Sequence, residues 1–431
     1  MDFKTNLINS IGEKLAYPLL EELEQERQIN GLVLNTNKID SLTIKKFYPD
    51  LEENLLIPNS FYFNKNKYDL GKSLLFNIGA FYIQDPSSNM VANLLQPKEN
   101  EQILDMCGAP GGKSINASLL LKETGLIVSN DISYQRSLET SKNVERMGLG
   151  NIAITCGDLN EEKECFANKF DKIILDAPCS GSAMFRKNKK AREDWTYQKV
   201  LSCQKRQLEL LDLASIFVKK GGIIAYSTCS FSIEEDENVI ISFLKNHNDF
   251  KIMNPPIDDK SFFHHPKLNK SIRLLPSLFK GEGQFVALLK KEGDSPCSCF
   301  ASKKEYKPKA KEDFINLAFL NPRSNILIKD NVYSLSRPFN CKKLDLIRYG
   351  IEVESIKDRF IPSYHLAKAI KFNDIPLSLE QTKKYLLGET FTLNESDGYH
   401  TVSYENINLG FIKISSKIAK NHYPKGLRRN Y

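Results

Sequence analysis

Leu104-Asp-Met-Cys-Gly-Ala-Pro-Gly-Gly-Lys-Ser114 follows a short apolar run and leads into a helix candidate, KSINASLLLK. A strand that turns through glycines into a helix is where open α/β sheets bring backbone amides close to a ligand. Gly108, Gly111 and Gly112 permit positive φ and close backbone approach. Two ligand classes compete for such a loop. A phosphate loop needs G-x-x-x-x-G-K-[ST], and Gly112-Lys113-Ser114 supplies its end, but Cys107 stands where the first glycine belongs. A nucleoside pocket instead needs a carboxylate at the end of the next strand to accept ribose hydroxyls. Asp131 closes LIVSND about 20 residues on, as that rule requires. Asp158, after Gly157, puts a further acid at the rim of a third strand, suited to an adenine amino group. Each acid alone reads as a cap or loop residue. At successive strand ends they suit a neutral adenosine and a cationic sulfonium better than a triphosphate, which favours S-adenosyl-L-methionine over ATP.

Outward from this loop the pattern is regular. QILDM, LIVSN, IAIT, KIILD and GIIAYST read as strands, and QFVALL as one more. SYQRSLETSKNVERM and YQKVLSCQKRQLELLDLASIFVKK read as helices between them, and the spacing of Ser232 and Glu235 predicts a capping box that opens another. Alternation of this kind predicts an α/β fold, a doubly wound and mostly parallel sheet with helices on both faces. Residues 1–75 read as helical and then extended, a small α+β region, and 76–292 as the catalytic domain. Residues 293–312 read as a linker, and 313–431 as a separate α+β or barrel-like module. Cys297 and Cys299 lack a partner pair with ligand spacing, so no metal site is expected.

At 431 residues, 41% hydrophobic and 26% charged, the chain predicts a globular protein of two or three domains. No apolar run approaches the ~20 residues of a membrane span, and the start MDFKTNLINSIGEK lacks a signal-peptide core. Nine scattered cysteines suit a reducing compartment, so a cytoplasmic protein is expected. The net charge of +7 is modest, but basic residues cluster at Arg186–Arg192, Lys303–Lys311 and Lys425–Arg429. A charge run is usually a solvated face; three of them favour a nucleic-acid partner.

Two apolar runs end in a cysteine. KIILDAPCSGS places Asp176 and Cys179 just past one strand, and GIIAYSTCS places Cys229 just past the next. If those strands pair at ~4.8 Å, both thiols border one pocket. A lone buried cysteine is usually a small hydrophobe. Two at adjacent strand ends beside a cofactor loop suit methylation at C5 of a pyrimidine. Carbon C5 is too poor a nucleophile until a thiolate adds to C6, and the adduct must then lose the C5 proton to release the thiol. The chemistry asks for a nucleophilic thiol, a carboxylate near N3 and a group that resolves the adduct. Asp176 suits the carboxylate, and either Cys179 or Cys229 suits the nucleophile.

DMCGAPGGK, SNDIS, GD, LDAPCSG and STCS occur in the order of the NOL1/NOP2/Sun family of RNA cytosine-C5 methyltransferases, which this sequence resembles from about residue 80 onward. QDPSSNMVANLL is similar to that family's segment before the core, and RLLPSLFKGEGQFVALLKK to its close. The tail, with YLLGE, GYH, LGFIK and NHYPKGLR, resembles the PUA-like domain of bacterial RsmF-type ribosomal RNA methyltransferases. The resemblance implies a Rossmann-like core that uses S-adenosyl-L-methionine to make 5-methylcytosine in RNA, most specifically 16S rRNA or the small ribosomal subunit, with transfer RNA as the alternative. It implies that Cys229 attacks C6, Cys179 aids product release and Asp176 activates the base. It places Cys107, Gly108, Ala109, Pro110, Gly111, Gly112 and Lys113, with Asp131, Asp158 and Asp176, around the cofactor; Arg136, one helical turn beyond Asp131, suits the cofactor's border or an exposed helix face equally. Ala183 stands where the family usually has glycine. A monomer without membrane contact is expected. The rivals are a P-loop ATPase, disfavoured by Cys107 and Asp131, and a non-catalytic RNA-binding assembly factor, disfavoured by the joint presence of Cys179, Cys229 and Asp176.

Overall fold

A computed structural model describes residues 1–25, 29–295, 298–301, 324–328, 331–355 and 361–428. The chain begins with two helices, Phe3–Ile11 and Glu13–Glu24, split at Gly12, which takes φ 78°. Asp2 caps the first by accepting from Thr5 N at 2.7 Å. Leu7, Ile11, Ala16, Leu19 and Leu23 form their apolar face, packed against Ala183, Phe231 and Leu275 of the catalytic region. Strands β1 (Asn30–Leu34), β2 (Glu52–Glu53), β3 (Ser60–Phe63) and β4 (Phe81–Ile83) then make an antiparallel sheet in the order β2-β3-β1-β4. This sheet runs to Ile83, past the boundary expected at residue 75, because β4 pairs with β1.

The large sheet carries β5 (Gln102–Asp105), β6 (Leu126–Asp131), β7 (Ile152–Cys156), β8 (Phe170–Asp176) and β9 (Val218–Thr228), all parallel. Strands β10 (Phe250–Ile252), β11 (Ile272–Leu274) and β12 (Gln284–Lys291) add antiparallel pairings, with β12 against β9. The order β10-β12-β9-β8-β5-β6-β7 reverses direction between β5 and β8. That reversal opens a crevice at the carboxyl ends of the strands, where ligands bind in this architecture. Helices cover both faces, so β5, β6 and β7 are buried along their length and read as near-continuous apolar runs. Side chains alternate between two cores. Leu104, Val128, Leu175 and Tyr226 face one, and Ile103, Ile127, Ile174 and Ala225 the other.

The C-terminal region has β13 (Ser324–Ile328), β14 (Asn331–Leu335), β15 (Asp345–Tyr349) and β16 (Ile351–Ser355). Strand β15 pairs antiparallel with β7 and extends the large sheet by one edge strand. Residues beyond 313 are therefore not wholly a separate module: Ile326, Leu335, Phe339 and Tyr349 join the core of the catalytic sheet. Strand β17 (Ile361–Pro362) pairs with β16 and closes a four-stranded sheet, β13-β14-β16-β17; a final five-stranded sheet is made by β18 (Ile375–Pro376), β19 (Phe391–Thr392), β20 (Gly398–Tyr404), β21 (Ile407–Ser415) and β22 (Ile418–Asn421), ordered β18-β20-β21-β22-β19. Its Val402, Leu409 and Ile412 share a cluster with Leu32, Phe61 and Phe81 of the N-terminal sheet.

One predicted start fails. The helix after β9 begins at Glu237, not behind Ser232. The Ser232 hydroxyl donates to Asn6 Oδ1 at 2.7 Å, and Glu235 is engaged elsewhere, so neither is free to cap.

Candidate active site

The loop after β5 is held on all sides. Asp105 ends the strand buried, its Oδ2 accepting from Ser114 Oγ at 2.6 Å, while its Oδ1 has no hydrogen-bond partner among the described residues. Burial pushes this carboxyl up to about 7. A Cβ at Gly108 would lie 2.2 Å from Ser129 Oγ, so only glycine lets the chain pass there. Gly111 takes φ 103° against Thr140, a conformation that favours glycine. The helix Tyr134–Met147 pins the loop's outer side. Arg136 donates to Ala109 O at 2.6 Å and pairs with Asp131 at 3.1 Å, and Asn143 donates to Pro110 O. Arg136 is thus a brace between Asp131 and the loop. Burial pushes the Cys107 thiol up.

Beside the loop lies a cavity of about 300 Å³. Cys107, Gly108, Ala109, Pro110, Gly112, Lys113, Asp176 and Cys229 line it, with Gln84, Ser88 and Gln284 opposite. Gly111, Asp131, Asp158 and Cys179 are not part of its wall. Asp131 is buried at the end of β6 and Asp158 exposed after β7, where it accepts from Asn160 N at 2.9 Å.

Asp176 is the hub. Its Oδ2 accepts from Lys113 Nζ at 2.7 Å, and its Oδ1 from Ser227 Oγ and Gln284 Nε2, both at 2.8 Å. Ser88 Oγ accepts a second Lys113 proton at 2.8 Å. Burial works against the Lys113 charge, but the Asp176 carboxylate outweighs it and holds the ammonium above its ordinary value. Lys113 is spent on a carboxylate and a hydroxyl, and is no phosphate ligand.

The two thiols meet. Cys179 Sγ lies 3.0 Å from Cys229 Sγ, because β8 and β9 are paired neighbours whose ends put Asp176 opposite Ser227. The contact with Cys229, together with burial, pushes the Cys179 thiol well up. Ala183 fits without strain in a turn after Gly181, where its N–H donates to Cys229 O at 3.0 Å.

Sequence reasoning missed several contributors. Ser88 and Gln84 flank the start of the helix Pro86–Leu95, Gln284 opens β12, and Glu235 joins the two cysteine loops. Arg186, taken as part of a basic run, is buried in an ion pair with Glu282 at 2.9 Å and lies 3.5 Å from Glu22. Arg192 pairs with Glu24. The Lys303–Lys311 run, Cys297 and Arg429 lie outside the described residues. Among the described residues no group of acids, histidines and cysteines forms a metal site, and no helix is long and apolar enough to cross a membrane.

Strand order, glycine loop and a crevice bordered by acids define a Rossmann-like methyltransferase. The family model for 16S rRNA methyltransferase RsmB/F matches residues 92–290, and that for the methyltransferase RsmF PUA domain matches 372–429. The chain belongs to this family of methyltransferases. Ribosomal RNA small subunit methyltransferase F of Shewanella piezotolerans is 28% identical over 477 aligned positions, covering 99% of this chain and 97% of its own. A methyltransferase homolog from Pyrococcus horikoshii superposes with a TM-score of 0.59 at 28% identity, over 67% of this chain and 93% of its own. NSun6 from Pyrococcus horikoshii, solved with SFG, gives a TM-score of 0.60 at 22% identity, over 68% of this chain and 98% of its own, a likeness of fold.

Proposed function

We propose that this enzyme transfers a methyl group from S-adenosyl-L-methionine to C5 of a cytosine in small-subunit ribosomal RNA, through a covalent bond between Cys229 and C6. The observation that carries the reading is the pair of thiols 3.0 Å apart, beside a carboxylate that the cofactor-loop lysine holds in place. The names of the full-length relatives supply the RNA class.

The residues present fit the cofactor. Gly108 and Gly112 let the loop pack closely against Ser129 and Gln84, where a Cβ would clash, and Asp105 Oδ1 at the cavity wall, without a partner among the described residues, is available to a donor. When bound there, the cofactor supplies an electrophilic methyl group. Cys107–Lys113 would hold it, with Asp131 and Asp158 at the rim and Asp176 nearest the reacting base.

The Cys229 thiolate adds to C6, and the electron pair of the C5–C6 bond becomes available at C5. Asp176, set beside the thiols by Lys113, Ser227 and Gln284, supports that addition at N3 of the ring. After C5 is methylated its proton must leave, so that the electron pair re-forms the double bond and expels the Cys229 sulfur. In the free enzyme Cys229 is the main reason that Cys179 keeps its proton. Once the Cys229 sulfur is a thioether, that one cause is removed while burial remains, and Cys179 is the thiol placed beside the adduct to assist elimination. The geometry leaves either thiol in reach of C6; the family resemblance supports attack by Cys229 and release by Cys179.

We assign residues 84–292 to catalysis, 372–429 to RNA binding, and the segment between them to both, since β15 completes the catalytic sheet. We place the protein in the cytoplasm as a monomer. The test is transfer of labelled methyl to small-subunit RNA, free and in the assembled subunit, followed by nucleoside digestion. The label should appear as 5-methylcytosine. Label in another nucleoside, or in transfer RNA alone, refutes the reading.

A further inference from the structure

The run Glu234-Glu235-Asp236-Glu237 is not a solvated acidic patch. Glu235, Asp236 and Glu237 are fully buried. Asp236 and Glu237 grip Arg273 from opposite sides, and Glu234 reaches Asn6 and Tyr197. Glu235 does something else. One of its oxygens accepts from Ser180 N at 2.8 Å and from Gln207 Nε2 at 3.0 Å. The other accepts from Ser230 Oγ at 2.6 Å and from the Ser180 hydroxyl.

Ser180 directly follows Cys179, and Ser230 directly follows Cys229. Gln207 also donates to Pro178 O at 3.0 Å, on the other side of Cys179. The main chain of Glu235 is itself fixed, because Tyr226 OH, from within β9, donates to its carbonyl at 2.6 Å. We infer that Glu235 is a positioning residue: one buried carboxylate clasps the two cysteine-bearing loops and sets the distance between the thiols. The inference rests on the two-thiol reaction proposed above, and it deepens that reading by naming what holds the reacting pair in register.

A carboxylate is the group this place requires. All four partners donate, and an ionised carboxylate is acceptor-only, whereas an amide must turn its NH₂ towards donors on one side. Burial raises the Glu235 carboxyl, opposed by these same hydrogen bonds. Misplacement by about 1 Å costs a reaction of this kind on the order of 10²-fold.

The clasp is testable without RNA or cofactor. Diamide, an azo compound, oxidises two neighbouring thiols: the sulfurs join, and their two hydrogens and two electrons reduce the azo bond. With sulfurs 3.0 Å apart and a disulfide bond at about 2.05 Å, the wild-type pair has little distance to close. The full-length protein should therefore form the Cys179–Cys229 disulfide readily, read by peptide mass. Glu235→Gln, with the unfolding temperature measured in parallel, should slow this crosslink at least tenfold and leave alkylation of the exposed Cys299 unchanged. Glu235→Asp should restore part of the rate. In the methylation assay kcat should fall with little change in KM for the cofactor. A folded Glu235→Gln protein that crosslinks at the wild-type rate overturns the inference. If Glu235→Gln does not fold, Ser230→Ala and Ser180→Ala decide it, each expected to slow the crosslink several-fold; wild-type rates in both overturn it. Loss of crosslinking in Glu235→Gln together with absent methylation in the wild type sinks the proposed reaction and leaves the clasp standing.

Discussion

Asp176→Asn offers a test whose size and pH dependence follow from the geometry. The carboxylate accepts from the Lys113 ammonium on one oxygen and from Ser227 and Gln284 on the other. An amide has one acceptor oxygen, so its NH₂ must face either a buried ammonium or two donors. Removing one partner of a buried pair costs about 3–5 kcal/mol, but the Asp176 side chain is 32% exposed and water shares its role. The loss of a hydrogen bond to a charged group, about 1.5–3 kcal/mol, is the better guide, and in a chain of 431 residues it lowers the unfolding temperature by roughly 2–3 °C. The pH dependence gives the sharper reading. In the wild type the Lys113 pKa is raised, so its contribution is complete below the ordinary lysine value and lost only as pH climbs through the raised one. In Asp176→Asn, burial, the largest influence on Lys113, is opposed only by the lesser effects of Asp105 and Cys229, and the folded-state pKa is expected to drop below its unfolded value. The variant is then penalised at neutral pH and recovers as Lys113 deprotonates. The stability gap between variant and wild type, measured by urea unfolding, should narrow from pH 7 to pH 10. A gap that is constant over that range refutes the reasoning about Lys113. Methyl transfer by the same variant should fall by about 10²–10⁴-fold, as for loss of a group assisting proton movement.

Other consequences are as concrete. Gly108→Ala places a Cβ 2.2 Å from Ser129 Oγ, and should destabilise by about 1–3 kcal/mol and weaken cofactor binding, measured by calorimetry. Asp105, pushed up to about 7, is protonated in the folded chain while the unfolded chain has already ionised. The unfolded state then binds fewer protons, so this group should make stability fall as pH rises from about 4 to 7, a slope that Asp105→Asn should flatten in denaturant titrations. Arg136→Ala should release the brace between Asp131 and Ala109 and raise the cofactor Kd several-fold while leaving RNA binding unchanged in a filter assay.

The sheet was legible because its strands are apolar almost throughout and end in acids or glycines, as helix-covered parallel strands must. The loop at Cys107–Lys113 and the strand-end placement of Asp176, Cys179 and Cys229 followed from the same regularity. Choosing the nucleophile did not, since strand spacing treats both thiols alike. The Ser232–Glu235 spacing misled because a capping box is a local pattern, and both side chains are claimed by residues far along the chain, Asn6 and Ser180. Arg186 misled for a related reason: sequence shows a charge but not its partners, Glu282 and Glu22. Strand β15 was assigned to a separate module because its partner β7 lies far back in the chain, and five residues carry too little pattern to reveal a non-local pairing.

The central claim is the division of labour between two touching thiols. It is tested most directly by incubating wild-type, Cys229→Ala and Cys179→Ala proteins with cofactor and small-subunit RNA, then resolving covalent protein–RNA species under denaturing conditions. Cys229→Ala should be inactive and form no adduct, while Cys179→Ala should accumulate an adduct it cannot release. Adduct from Cys229→Ala, or free turnover by Cys179→Ala with no trapped species, would contradict the account.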